Sequence, residues 1–273
     1  MRWSVALALV ACHATEPPSG LVEPSSGFVV EPRTTVPEEV IASAPDDNWP
    51  HRCPRAGVAI TQRYCVRQHW GSMRAALELR ELTSIACTHC RVGDVSALAA
   101  HPALVEFSLT NTQIDNVASL GALAQLRSLT LFDTDVRDLR AIAPLVQLVS
   151  LSVNGDIEDA TAIRRFTRLT YLAVGSNRLR ELDLSSNSEL EFLSLRLPFA
   201  RPPSLAKLSK LRTFIWQGRS LVDASELLVL PELRLVTIQH HCIPDDAVRE
   251  LQRVLESRRV DVTIANRSPD CAP

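Results

Sequence analysis

The chain has 273 residues, 46% of them hydrophobic, which is ample for one large core or two smaller ones. Its formal net charge is −2, so it lacks the basic surplus on which nucleic-acid binding draws. Aromatic residues make up only 5%, low for a compact β-sandwich and ordinary for a core built from leucine.

Met1-Arg2 supplies one positive charge, and Ser4 to Ala11 is a short apolar run. Leu9-Val10-Ala11-Cys12 then resembles a bacterial lipobox, in which cleavage precedes a lipid-bearing cysteine. The run is too short to span a bilayer as a helix. The resemblance implies a lipoprotein-type signal peptide over 1–11 and a membrane anchor on Cys12. It further implies a cell-envelope location, at the outer membrane or cell surface, with secreted or periplasmic release as the alternative. Residues 12–50 are rich in Pro, Ser and Glu, a composition that cannot bury enough apolar surface to offset ordering entropy. They read as a disordered tether.

Residues 51–81 read as an N-terminal cap. Cys53 and Cys65 bracket AGVAITQRY, which suits a strand or hairpin arm, and Ser72 precedes MRAALELREL, a run of good helix formers. With Cys12 assigned to lipid, Cys53, Cys65, Cys87, Cys90, Cys242 and Cys271 remain, an even set suited to disulfides in an oxidising compartment. Their positions suggest a Cys53–Cys65 pair in this cap and a Cys242–Cys271 pair at the far end.

From 82 to 240 the chain repeats. Units begin at Leu82, Leu104, Leu126, Leu148, Leu169, Leu190, Leu211 and Leu233, at spacings of 21 or 22 residues. Each opens as L-x-x-L-x-L or a close substitute, as in LRSLTL and LEFLSL, and a further aliphatic follows: Val92, Ile114, Val136, Ile157, Leu179. This pattern resembles the leucine-rich repeat family over roughly residues 77–265, and its T-x-I and N-x-L turns are most similar to bacterial internalin-type repeats. The resemblance implies an α/β solenoid: a curved right-handed coil of 21–22-residue units, a parallel concave sheet and a cap at each end. The family's turn asparagine corresponds to Asn177 in the fifth unit, and to Cys90, Thr112, Thr134, Pro198, Arg219 and His241 elsewhere. Thr can supply part of that hydrogen bonding, whereas Pro198 and Arg219 cannot, so irregular turns are expected there. LRELDLSSN, a second copy of the motif out of register, predicts a further departure between 175 and 189.

Residues 241–273 read as the C-terminal cap. Pro244-Asp245-Asp246 is a helix start, Val248, Leu251, Val254 and Leu255 recur at helical spacing, and Arg258-Arg259 are placed in the last turn. VDVTI reads as a final edge strand.

Cys87-Thr88-His89-Cys90 has the spacing of a redox or zinc half-site, but no second pair lies close by, and the repeat register makes both cysteines structural. His240 and His241 read as surface histidines beside a structural cysteine. No metal, cofactor or catalytic site is expected, since G-x-S-x-G, H-E-x-x-H, G-x-x-x-x-G-K-[ST] and G-x-G-x-x-G are all absent.

What remains is the sheet face turned from the core, where the register sets three rows. The first runs Glu106, Ser128, Ser150, Tyr171, Phe192, Thr213, Leu235. The second runs Ser108, Thr130, Ser152, Ala173, Ser194, Ile215, Thr237. The third runs Thr110, Phe132, Asn154, Gly175, Arg196, Gln217, Gln239. Phe132, Tyr171, Phe192, Arg196 and Gln217 are the candidate ligand-binding residues, because exposed aromatics and arginine anchor protein interfaces. The chain is therefore read as a monomeric, exported binding protein with a protein partner and no nucleic-acid partner. The alternative is a structural envelope component without a discrete ligand.

Overall fold

The computed structural model describes residues 83–88, 91–199, 201–218, 224–239 and 245–265, and the backbone of 40–41 and 63–67. The signal peptide over 1–11, the Cys12 anchor, the helix expected after Ser72, the Arg219 turn and the His240-His241 pair lie outside the described residues. So do Cys53, Cys90, Cys242 and Cys271, with the pairings suggested for them, and the side chain of Cys65.

Two residues after each unit start, a strand begins. These are β3 (Ser84–Thr88), β5 (Glu106–Thr110), β7 (Ser128–Thr134), β8 (Ser150–Gly155), β9 (Tyr171–Gly175), β10 (Phe192–Arg196), β11 (Thr213–Gln217) and β12 (Leu235–Gln239). They join one parallel sheet, neighbour to neighbour in chain order. The sheet extends beyond the repeats at both ends. β2 (Arg63–Arg67) pairs parallel with β3, and β1 (Val40–Ile41) pairs antiparallel with β2. β1 falls within the stretch that composition reads as tether. β13 (Asp261–Ala265), the expected edge strand, closes the far end against β12. A second, two-stranded ladder joins β4 (Arg91–Val92) to β6 (Gln113–Ile114).

Alternation along each strand sends two side chains inward: Phe107 and Leu109, Leu129 and Leu131, Leu151 and Val153, Leu172 and Val174, Leu193 and Leu195, Phe214 and Trp216. All are buried, in one continuous core. Cys87 holds the equivalent position in β3 and is buried likewise. Each such leucine contributes roughly 1.5–3 kcal/mol of transfer free energy. The return side of the early units is built from short 3-10 helices at Ser96–Ala100, Val117–Ala122, Leu139–Ile142 and Thr161–Arg165. The fifth unit returns over 176–191 without one, in the stretch where the out-of-register motif predicts a departure, and the described residues of the sixth unit's return, 197–199 and 201–212, hold none either.

The turns after the strands follow a rule of backbone chirality. Asn111 (φ 48°), Asp133 (φ 49°) and Gly155 (φ 152°) occupy one position spaced by 22 residues, and all have positive φ. Asn, Asp and Gly are the residues that tolerate it. In the second unit Thr112 does the work expected of the family's asparagine, its Oγ1 donating to the carbonyls of Thr110 at 2.9 Å and Cys87 at 3.3 Å. The buried hydroxyl of Thr134 has no partner.

The fifth unit corrects the sequence reading. Asn177 is exposed and does not serve the turn. Ser176, one residue earlier, is buried; its Oγ donates to the Ile157 carbonyl at 2.7 Å and accepts from the amides of Arg178 and Leu179. The buried asparagine is Asn187, in the out-of-register motif. Its Nδ2 donates to the carbonyls of Ile163 and Phe166, at 3.0 Å each, sealing the end of the preceding 3-10 helix.

Two α-helices flank β12, α1 (Ala224–Leu228) before it and α2 (Asp245–Glu256) after it. Leu251 and Leu255 of α2 are buried, as their spacing predicts. The helix stops sooner than the sequence suggests. Arg259 lies past its end with φ 61°, the Val260 amide donates to the Leu255 carbonyl, and the Arg259 amide donates to that of Glu256. This is a Schellman ending with arginine where glycine is usual, completed by the buried pair Leu255 and Val260.

Thr112→Val should cost about 1 kcal/mol, because it strands two carbonyl partners. Thr134→Val should leave stability unchanged or raise it by up to about 1 kcal/mol, because it removes an unpaired buried hydroxyl. Urea midpoints of the two variants should therefore move in opposite directions or split between fall and no change.

Candidate functional site

The exposed sheet face is ruled by register. In the first row Ser150, Tyr171, Phe192 and Thr213 are successive partners on β8 to β11. In the third row Phe132, Asn154, Gly175, Arg196 and Gln217 are successive partners on β7 to β11. The second row between them is small: Ser152, Ala173 and Ser194 on β8, β9 and β10. The two outer rows are four residues apart along a strand, which is about 13 Å.

The first row brings Tyr171 and Phe192 together. Their rings stack with centroids 4.4 Å apart and planes 6° from parallel. The spacing follows from the sheet, since in-register parallel neighbours stand about 4.8 Å apart. Tyr171 remains 37% exposed, an unusual position for a large ring in this chain. Burial of the rest pushes its phenol up from the ordinary tyrosine value. Such a pair contributes about 0.5–1.5 kcal/mol beyond its buried area.

The third row brings Arg196 to Asn154. The Arg196 guanidinium donates to Asn154 Oδ1, two strands away. It passes over Gly175, and the gap it uses is exact to a side chain: a Cβ on Gly175 would lie 2.6 Å from Asn154 Oδ1 and 3.3 Å from Arg196 Nε. Asn154 was in the row as read from sequence, but its tie to Arg196 was not, because two intervening features, register and an absent side chain, are needed to see it. Gln217 stands beside Arg196 on β11, and Phe132 stands beside Asn154 on β7, outside the aromatic stack. The five candidates thus fall into two groups rather than one cluster.

Charge on the flanks of the sheet is mostly internally paired. Arg178 reaches Asp156 and Glu158, Arg212 reaches Glu191 and Glu232, Lys210 reaches Glu189, and Arg140 reaches Asp138 and Asp159. The Arg140 hydrogen bond holds the Asp138 carboxyl below its ordinary value. Asp94, Asp138, Asp159 and Asp183 each accept the amide two residues ahead, which shapes the starts of the return segments. These acids are occupied by structure. Among the described residues no group of three His, Cys, Asp or Glu is placed to hold a metal ion, and no helix is long and apolar enough to cross a membrane.

Titrating the phenolate absorbance of the folded protein should place Tyr171 above the ordinary tyrosine range, and Phe192→Ser should bring it down. The folded state favours the neutral phenol, so this contribution to stability is present at neutral pH and is lost as pH rises through the raised folded value. A melting-temperature series across alkaline pH checks the sign.

No family model and no curated protein matches the chain. Solved structures do. Internalin C2 of Listeria monocytogenes is 20% identical with a TM-score of 0.48, over 74% of this chain and 80% of that one. A leucine-rich repeat protein of Leptospira interrogans is 14% identical with a TM-score of 0.50, over 71% of this chain and 57% of that one. TLR13, solved in complex with ssRNA13, is 19% identical with a TM-score of 0.52, over 71% of this chain and 30% of that one. At these identities the likeness to the Leptospira protein and to TLR13 is one of fold, and with the in-register parallel sheet it makes this chain a leucine-rich repeat solenoid.

Proposed function

We propose that the chain is an exported, lipid-anchored leucine-rich repeat protein that binds another protein through its exposed sheet face. The observation that carries the reading is the Tyr171–Phe192 stack, a large aromatic surface held on a solvent-facing sheet where the core has no use for it. Arg196, on the same strand as Phe192, and Phe132, on β7, add the residue types that anchor interfaces. The strands fix these groups before a partner arrives, so little ordering entropy is lost on binding.

A protein is the partner better suited to this surface than nucleic acid. The TLR13 structure of the same fold is a complex with RNA. In this chain, however, Arg196 is the one cation of the three rows from β3 to β13, and the formal net charge is −2. Phosphate backbones are held by many cations.

The export reading rests on Leu9-Val10-Ala11-Cys12 and on the cysteine count. The six cysteines other than Cys12, among them Cys87 buried in β3, form an even set that suits an oxidising compartment. The anchor on Cys12, with the Pro-rich stretch behind it, would hold a monomeric solenoid at the cell envelope, clear of the bilayer. The protein's work is display and binding.

Substituting Phe132, Tyr171 and Phe192 together by Ser should abolish capture of partners cross-linked in the native envelope, with the melting transition preserved. Capture of every partner by that folded triple variant would overturn the reading. Labelled palmitate should enter the wild-type protein and not Cys12→Ala; equal labelling of the two would remove the anchor.

A further inference from the structure

Resting on that reading, we infer that the track over β8, from Ser150 to Asn154, takes an extended peptide segment of the partner. A planar side chain of that segment lies on the free face of Tyr171, and a carboxylate four residues along it meets Arg196. Tyr171 and Phe192 stack across the β9–β10 step, so the second face of Tyr171 is turned toward β8, where its row neighbour is Ser150. A serine is too small to cover a ring. The opening there accepts one more flat group, an aromatic or guanidinium side chain, at the end of a stack already two rings long.

The other end of the track is made by Arg196. It is rooted on β10, yet its guanidinium is drawn over Gly175 to Asn154 on β8. Its hydrogen-bond partner there is a neutral amide, which orients the charge without cancelling it. From β3 to β13 it is the one cation of the three rows, and the register places Arg63 and Arg67 at the row ends on β2, six strands away. The acids of those rows, Glu106 on β5 and Asp261 on β13, belong to the first row, several strands away. The nearby turn carboxylate Asp156 is taken by Arg178. A held, exposed guanidinium without a counter-ion calls for a carboxylate, which it can bind through two parallel N–H donors.

The two ends stand on the same strand, at Ser150 and Asn154, with Ser152 as a low floor between them. Four residues of strand are about 13 Å, the distance an extended peptide covers between side chains four residues apart. The third-row gap and the uncovered ring are thus set two pleat repeats of an extended peptide apart, over one strand.

The test uses the full chain and labelled, C-terminally amidated five-residue probes of the form Trp-Ser-Gly-Ser-Asp, a matched set ending in Asn, and versions with the Trp and Asp one to three residues closer. Fluorescence polarisation should show the Asp probe binding about ten-fold tighter than the Asn probe. Closer spacings should lose that preference. Arg196→Gln should erase the Asp-over-Asn preference while the melting temperature holds, Arg196→Lys should retain part of it, and Tyr171→Ser should weaken every probe. Equal binding of Asp and Asn probes, lost in Tyr171→Ser/Phe192→Ser, would overturn the carboxylate subsite and leave the binding face intact. Binding that ignores both Arg196→Gln and Tyr171→Ser/Phe192→Ser would overturn both. Absence of binding by any probe at millimolar concentration overturns the peptide track, as does Arg196-dependent binding of polygalacturonate in its place.

Discussion

A parallel strand of five residues cannot hide its own leucines. That constraint governs everything else in this molecule. Each unit offers two inward side chains from its strand and several more from its return, as Val136, Leu139, Ile142 and Leu145 in the third unit, and these are covered only by the units before and after. Stacking must therefore be in register, since a slip of one residue would turn Leu129 and Leu131 out to solvent and Thr130 into the core. The exposed rows are the by-product of that requirement. Tyr171 and Phe192 meet because Leu172 and Leu193 must.

The ends and turns obey smaller rules. Where a strand gives way to the return, the chain uses positive φ at Asn111, Asp133 and Gly155, and a buried hydroxyl or amide to satisfy carbonyls. Where the last helix stops, Arg259 accepts a conformation usually left to glycine, and the buried contact of Leu255 with Val260 supplies the compensation. The ion pairs along the flanks are exposed and contribute little singly.

Most of the architecture was legible in the residues. The leucine spacing placed the repeat strands correctly, since a period repeated eight times leaves no freedom in which residues face the core. The rows of the exposed face followed from the same arithmetic, so Tyr171 and Phe192 were readable as neighbours. Position within a turn was not. Shortened units shift the turn, and the buried hydroxyl moved from the expected Asn177 to Ser176 while Asn187 took the amide role on the return. The length of a helix also escaped, because Arg258 and Arg259 suit a last turn by charge and only backbone geometry shows that they follow it. The reach of Arg196 was hidden for a third reason. It depends on what is missing at residue 175, and a glycine in a strand announces many things besides a path for its neighbour.

That path has a consequence for how the surface can change over time. In a stack of units, influence is expected to pass from each strand to the next. Here residues 154 and 196, 42 apart in the chain, answer to one another directly, while the strand between them keeps silent. A replacement at either would be felt by the other with no record at the position they span. Variation on this face is thus free to be correlated in steps of two strands, and the glycine is what sets the stride.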